Sequence, residues 1–397
     1  MDLNDVVIVS ALRSAIGGYG GQFRDMTAVP LGVPVMTEAI KRTGIDPAVI
    51  DDVGWGCCYQ RARNEVNVAR VTAIKSGVPV EVPAFTVMRV CTSSLWAMAE
   101  GFMAIRQGYN SVFLTGGVES MSTVPYTLDF LRWGARMNDV KVRDMLWDGV
   151  TSIGVGPAMG ITAENLAEKY HISREAQDEL AYQSHMRASA AIKEGRFKEE
   201  IVPIEVPGAK GKTMIADTDE HPRADTNLGA LARLKPVFKK DGRVTAGNAS
   251  GISDGAAAIL MMRKERADDL DVKPIARIVD FSVVGVDPDY MGWGPVPATE
   301  KLLKRTGLKL SDMGLIELHE AFAAQYLACE MGLELTNKRD IVNVNGSGIS
   351  LGHPVGATGA RLVTTLLHEM RRRNVQYGLV TLCGGGGLGM AMIIELP

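Results

Sequence analysis

The chain has 397 residues, 46% hydrophobic and 22% charged, with a formal net charge of −3 at pH 7 and a mean hydropathy of +0.05. That is two or three domains' worth of sequence, at about 100–200 residues each, with ample apolar material for a large core. The near-neutral charge and the lack of any like-charge block give no reason to expect nucleic-acid binding. No apolar run approaches the roughly 20 residues of a membrane helix. The stretch 1–5 is acidic, and no basic-then-apolar leader precedes Val6, so no secretory signal is expected. Five cysteines, an odd and low number, fit a reducing cytosol better than a disulfide framework, and a cytoplasmic protein is expected. Cys57 and Cys58 are adjacent without a partner pair at zinc-ligand spacing; they read as structural, and no metal site is expected.

In chain order, the run 6–9 (Val-Val-Ile-Val) reads as a buried strand. A strand-like stretch then runs into Cys91, a helix is expected over 95–107, and 111–117 reads as a strand ending in a glycine turn. From about 122 to 243 the character changes. Helix formers dominate 162–169 and 173–194, and Ser173-Arg174-Glu175-Ala176 resembles an N-cap with an acidic first turn. Pro203, Pro207, Gly208 and Gly211 mark looped connections. In the second half 275–279 reads as a strand, a helix follows Gly356-Ala357-Thr358-Gly359 to about Arg373, and 377–383 reads as a strand before another glycine turn. Strand, helix, strand and glycine turn recur in the same order. A duplicated unit of this kind gives two similar α/β halves facing one another, and the alternation favours mainly parallel sheets with right-handed crossovers. Short basic runs such as Arg371-Arg372-Arg373 read as the solvated end of a helix.

Three reactive groups stand out. Cys91 lies where a strand meets a helix, His353 lies in Gly352-His353-Pro354, and Cys383 precedes the run 384–387 of four glycines. A cysteine is a strong nucleophile as its thiolate, and a helix N-terminus with a nearby imidazole is expected to lower its pKa. The second cysteine is a further thiol able to move protons, which a hydrolase would not need. The glycine run is a weak nucleotide-loop signal, because no βαβ unit follows it.

Seven segments in order carry a resemblance to the thiolase family, over nearly the whole chain. They begin with Val9-Ser10-Ala11-Leu12-Arg13-Ser14-Ala15-Ile16-Gly17, the Cys91 segment, and Gly116-Gly117-Val118-Glu119-Ser120-Met121-Ser122. They continue with Thr245-Ala246-Gly247-Asn248-Ala249-Ser250-Gly251, His319-Glu320-Ala321-Phe322, Asn345 to Pro354, and the Cys383 loop. The resemblance implies a five-layered αβαβα fold of two similar halves. Residues 1–121, completed by about 244–272, would form one half, and 273–397 the other. Residues 122–243 would be an inserted loop domain that holds coenzyme A.

It also implies roles. Cys91 would be the acylated nucleophile, and His353 its base and a later partner of the thioester oxygen. Cys383 would shuttle the α-carbon proton and activate incoming coenzyme A. The amides of Cys91 and Gly385 would form one oxyanion hole, and His319 would help build another. Ser250 would bond the pantetheine arm, Arg223 and Phe238 would lie near the adenine end, and Met159 and Phe322 would line the channel. Coenzyme A enters as substrate, with no permanently bound cofactor. A homodimer or tetramer is implied, and a hetero-complex with a small zinc-bearing or β-oxidation subunit stays open.

Two departures bear on substrate. Many thiolases have asparagine where this chain has His319, a form that resembles the β-subunits of fatty-acid oxidation complexes and some specialised thiolases. Many also have His-Met-Gly where this chain reads Ala158-Met159-Gly160. Trp96, Trp133, Trp147 and Trp293, with Arg132 and Arg136, are candidate walls for a bulky aromatic or dicarboxylic acyl group such as benzoylsuccinyl-CoA; core and loop packing is their competing role. A condensing enzyme of the same superfamily would lack Cys383, and a non-catalytic thiolase-like subunit would have lost one of these groups.

Overall fold

A computed structural model describes residues 1–61, 63–151, 153–208 and 211–397. The strands that build the main sheet are, in chain order, β1 (Val6–Ser14), β2 (Asp52–Gly56), β3 (Ala84–Val87), β4 (Val112–Ser120), β5 (Ser253–Arg263), β6 (Ala276–Gly285), β7 (Leu315–Leu318), β8 (Tyr377–Gly384) and β9 (Leu388–Glu395). The principal helices are α1 (Ala28–Lys41), α2 (Val68–Lys75), α3 (Ser93–Arg106), α4 (Met159–Lys169), α5 (Arg174–Lys193), α6 (Pro295–Thr306), α7 (Ala323–Gly332) and α8 (Thr358–Arg373). Strand order is β7-β8-β9-β6-β1-β5-β4-β2-β3.

The expected repeat is visible in this order. β1, α3, β4 and β5 of the first half correspond to β6, α8, β8 and β9 of the second. Sheet direction corrects the expectation of mainly parallel pairing. β2 pairs parallel with β3 and β4, and β7 with β8. But β5 runs against both β1 and β4, and β9 against both β6 and β8. Each half therefore ends with an antiparallel return strand slotted inside the sheet. That strand follows without a crossover helix between it and its neighbour in the second half, where three residues, Gly385–Gly387, turn β8 into β9. A tight turn of this length can join only antiparallel neighbours.

The strands are apolar on both faces because both are covered. In β1, Val7 and Val9 face a core shared with Leu31 and Val35 of α1 and with Trp55. Val6 and Ile8, of opposite parity, face a second core shared with Leu95 and Met98 of α3 and Leu362 and Leu366 of α8. Val380, Met390 and Met392 of the second half enter that same central core. A third core lies beyond, where Leu379 and Ile393 meet Leu302 of α6 and Leu327 of α7. Three cores separated by the two halves of the sheet make five layers, with α3 and α8 packed together in the middle one. The two half-sheets meet along β1 and β6 at only two residue pairs, Val7 with Arg277 and Ile8 with Ala276.

The segment between the halves is stitched into the first half. Ser173 caps α5 as its sequence suggests, its hydroxyl accepting the Ala176 N–H at 3.1 Å. Ile201 and Val202 pair with Arg13 and Ser14 of β1. Arg13, fully buried, donates to both oxygens of Asp219 at 2.7 and 2.9 Å and to Glu200 at 2.6 Å. Both oxygens of Asp219 are thus bound in the fork geometry that arginine favours. We expect Arg13→Ala to lower unfolding stability by about 3–5 kcal/mol, because two carboxylates would be left buried without their counter-charge. Denaturant unfolding measures this, and a loss below about 1 kcal/mol would mean that the clasp contributes little.

Candidate active site

The turn carrying Cys91 joins β3 to α3. Val90, just before it, has φ +50°, a left-handed conformation that a β-branched residue keeps only when its surroundings enforce it. The Val90 carbonyl is held by the Ser93 N–H at 3.1 Å, the Ser93 hydroxyl at 2.6 Å and the Cys58 thiol at 3.2 Å. Cys58 is thus a brace for the nucleophile's turn. Cys57, also buried, sits 3.6 Å from Glu119 Oε1. Glu119, at the end of β4, accepts the N–H groups of Cys58 and Tyr59, each at 3.0 Å, and of Gly356 at 2.8 Å. One buried carboxylate therefore ties the loop behind Cys91 to the loop carrying His353.

His353 lies before α8, the second-half counterpart of α3. Its N–H donates to Ser253 Oγ at 3.1 Å. Its ring Nδ1 lies 2.7 Å from the Thr358 hydroxyl, which donates its own proton to the Pro354 carbonyl at 2.9 Å. A hydroxyl has one proton, so its oxygen must accept from Nδ1–H. This fixes the tautomer: Nε2 keeps its lone pair, and Nε2 faces Cys91 Sγ at 3.2 Å. The backbone amides of Gly385 and of Cys91 itself act on the Cys91 sulfur by favouring its thiolate.

The charge state differs from the sequence expectation of a lowered thiol pKa. Burial pushes Cys91 up to about 11, against the pull of the Gly385 and Cys91 amides. Burial, with the Arg361 charge adding to it, takes His353 down to about 3. Burial thus disfavours both the thiolate and the imidazolium.

His319 ends up beside His353, with ring centroids 4.3 Å apart. It is fully buried, and neither ring nitrogen has a hydrogen-bond partner among the described residues. Burial first, then His353 and Arg361, push its pKa far below the ordinary value. Gly348 permits this approach, since a Cβ there would come within 2.6 Å of His319 Cε1. Its neighbour Glu320 accepts from Ser184 of α5 at 2.6 Å and from Asn343 at 2.9 Å. Cys383, at the end of β8, is also buried; burial and then the Cys91 sulfur raise its thiol pKa. Gly385 follows it, packed so that a Cβ would meet Ile153, Val90 and Met159 at 2.9–3.2 Å.

The remaining candidates form a contiguous rim. Met159 abuts Gly385, and Gly160 abuts Phe238. Phe238 packs edge-on to Phe322 with centroids 6.1 Å apart. Ala249 bridges to Phe322, and the Ser250 N–H donates to the Ala321 carbonyl at 2.9 Å. Arg223 lies further out and exposed, its N–H donating to His185 Nδ1 at 3.2 Å. The tryptophans do not join the rim as a set. Trp96 lies under the Arg89 guanidinium at 4.1 Å and edge-on to Phe281. Trp293 stacks on Tyr170 at 4.9 Å. Trp133 is 84% exposed and Trp147 59% exposed, and Arg132 and Arg136 are exposed beside Trp133. The aromatic-pocket expectation gains no support from this packing. Sequence reasoning gave no role to Thr358, Ser253 or Glu119. Glu119 lay inside a recognised motif, and Thr358 follows the base by five residues in the turn that opens α8.

Residues 6–265 match the family model "Thiolase, N-terminal domain", and residues 272–396 match "Thiolase, C-terminal domain". The chain belongs to the thiolase family, and it is an acyltransferase. It is 48% identical over 394 residues to an acetyl-CoA acetyltransferase of Syntrophomonas wolfei, covering 98% of this chain and 99% of that one. It is 46% identical over 392 residues to the beta-ketothiolase BktB of Cupriavidus necator, covering 98% of this chain and 99% of the other. Among solved structures, the Bacillus anthracis acetyl-CoA acetyltransferase superposes with a TM-score of 0.96 at 47% identity, covering 99% of each chain. The human mitochondrial 3-ketoacyl-CoA thiolase in complex with CoA does so with a TM-score of 0.95 at 43% identity, covering 100% of this chain and 98% of that one.

Proposed function

We propose that the chain cleaves a 3-oxoacyl-CoA with coenzyme A, or runs the reverse Claisen condensation, through an acyl-enzyme at Cys91. The observation that carries this is the 3.2 Å approach of a tautomerically fixed His353 Nε2 to Cys91 Sγ. His353 takes the thiol proton as sulfur attacks the 3-oxo carbon. The bond between the α- and β-carbons then breaks, leaving an acyl thioester on Cys91 and the enolate of acetyl-CoA. Cys383 protonates the α-carbon. The Cys383 thiolate next takes the proton of incoming coenzyme A, whose sulfur displaces the acyl group and regenerates Cys91.

The amides of Cys91 and Gly385 serve the oxyanion of acyl transfer, and His319 with His353 serves the thioester oxygen as the enolate develops. His319 has free ring nitrogens to hold a water or that oxygen. Coenzyme A would run along the rim of Met159, Phe238, Phe322 and Ser250 towards Arg223, which gives the segment 122–243 its purpose as the ligand-holding insertion. We also propose a homodimer or dimer of dimers. β3 is an edge strand of the main sheet, with Met88 and Val80 exposed beside it. An open edge is a natural site for two-fold pairing.

Brief exposure to a 3-oxoacyl-CoA should add one acyl mass to the intact protein, and Cys91→Ser should abolish the adduct. Cys383→Ala should still acylate, yet lose α-proton exchange and about 100-fold or more of overall thiolysis. A fully retained adduct in the serine variant would sink the assignment, and wild-type turnover without Cys383 would make that thiol structural. His319→Asn should keep measurable turnover, because an amide can also donate. His319→Ala should lose a donor worth roughly 3–4 kcal/mol of transition-state stabilisation, seen in kcat. Equal activity of the two variants would remove His319 from the oxyanion hole. Light scattering at micromolar concentration reads the assembly, and a monomer refutes the dimer.

A further inference from the structure

His319 leaves the end of β7 without a side-chain bond of its own, since neither ring nitrogen has a partner among the described residues. Its aim is therefore set by the backbone that carries it. On one side the His319 N–H donates to the Thr381 carbonyl of β8 at 3.0 Å. On the other side β7 is the last strand of the sheet, and its outward groups need partners from elsewhere. A short stretch of chain supplies the first of them. The Ile316 N–H donates to the Ile341 carbonyl at 2.9 Å, and the Ile316 carbonyl accepts the Asn343 N–H at 2.9 Å. One step nearer the site the chain turns away. Asn343 has φ +48°, the left-handed conformation that asparagine tolerates better than most residues.

From this turn the Asn343 side chain takes the place of the missing strand. Its Oδ1 accepts the Leu318 N–H at 2.9 Å, and its Nδ2 donates to the Leu318 carbonyl at 2.7 Å. The side-chain amide thus stands in for the next peptide of a ladder and satisfies both backbone groups of the residue before His319. The second Nδ2 proton goes to Oε1 of Glu320, the residue after His319, at 2.9 Å. Ser184 Oγ of α5 donates to the other oxygen of Glu320 at 2.6 Å. Arg187, one turn further along α5, donates to the Val342 and Asn343 carbonyls at 2.8 and 3.3 Å. Leu318, His319, Glu320, Asn343 and Ser184 are all buried, so a bond lost here leaves a polar group without water to replace it. The nucleophile's turn is held by different groups, namely Glu119, Ser93 and Cys58.

We propose that Asn343 is a positioning residue for His319, clasping the residues on both sides of it so that its unbonded ring stays aligned with the thioester oxygen. This rests on reading His319 as a donor to that oxygen as the enolate develops. Ser184 extends the clasp to α5, and so joins the alignment of His319 to the insertion between the halves. Disturbing the clasp slows the step that uses His319 and spares the step that uses Cys91 and His353.

The test compares two partial reactions of the full chain with acetyl-CoA. Intact mass after rapid quenching reads the acylation of Cys91. Incorporation of solvent deuterium into the acetyl group reads formation of the enolate. Asn343→Gly keeps the left-handed turn without strain and removes only the side-chain amide. Its exchange rate should fall on the order of 10- to 100-fold, the usual cost of a catalytic group displaced by up to about 1 Å, with acylation within about threefold of wild type. Exchange within about twofold of wild type, or an equal fall in both rates, overturns the proposal. Should the glycine variant fail to fold, as circular dichroism would show, Ser184→Ala decides, because it removes a single bond to Glu320. Exchange slowed roughly three- to tenfold with acylation spared supports the clasp, and two unchanged rates overturn it. His319→Ala is measured alongside. If it exchanges at the wild-type rate, the reading of His319 as an oxyanion donor fails and the proposal fails with it. If it loses exchange while Asn343→Gly does not, that reading stands and Asn343 alone loses its role.

Discussion

The packing of α3 against α8 is the constraint on which the rest depends. Each helix belongs to one half of the duplicated fold, and each presents a reactive group at its N-terminal approach: Cys91 before α3 and His353 before α8. The central core fixes the distance between the helices. Glu119 then fixes the two loops against each other by accepting amides from both. The 3.2 Å contact between sulfur and imidazole is therefore set by the meeting of layers, and no single loop determines it. His319 and Cys383 come from β7 and β8, which carry the second half's contribution to the same space.

Burial governs the chemistry of that space as much as its shape. A closed site that excludes water disfavours both ions of a thiolate–imidazolium pair. Reactivity then has to come from geometry and from groups that engage as charge develops: a lone pair aimed at sulfur, and a second ring whose nitrogens have no partner among the described residues. The strained backbone at Val90 belongs to the same economy of design, since three hydrogen bonds to one carbonyl hold a conformation that valine alone would leave.

Much of this was legible in the sequence. The order of strand, helix and glycine turn in each half gave the duplication, because buried strands and helix starts have local signatures. Ser173 as a helix cap could be read from its neighbours. Cys91, His353 and Cys383 were marked by residue type and flanking glycines. The return strands β5 and β9 were harder to orient. An apolar run carries no sign of direction, and strand–helix alternation pointed to parallel pairing. The thiol pKa was misread for a related reason. A helix N-terminus and an imidazole can be inferred locally, whereas desolvation comes from side chains hundreds of residues away. Thr358 and Glu119 escaped notice because their importance lies in partners brought to them by the fold. The tryptophans misled as candidate pocket walls because aromatic content says nothing about which surface it covers.

The thiol and its imidazole are separated by 262 positions along the chain, and they meet where α3 and α8 pack together. Closing a loop of that length carries a conformational-entropy cost before the contact rewards it. A chain emerging from synthesis, or one that has partly unfolded, carries Cys91 without a base beside it. Completion of the fold and the pairing of the thiol with its base are thus the same event.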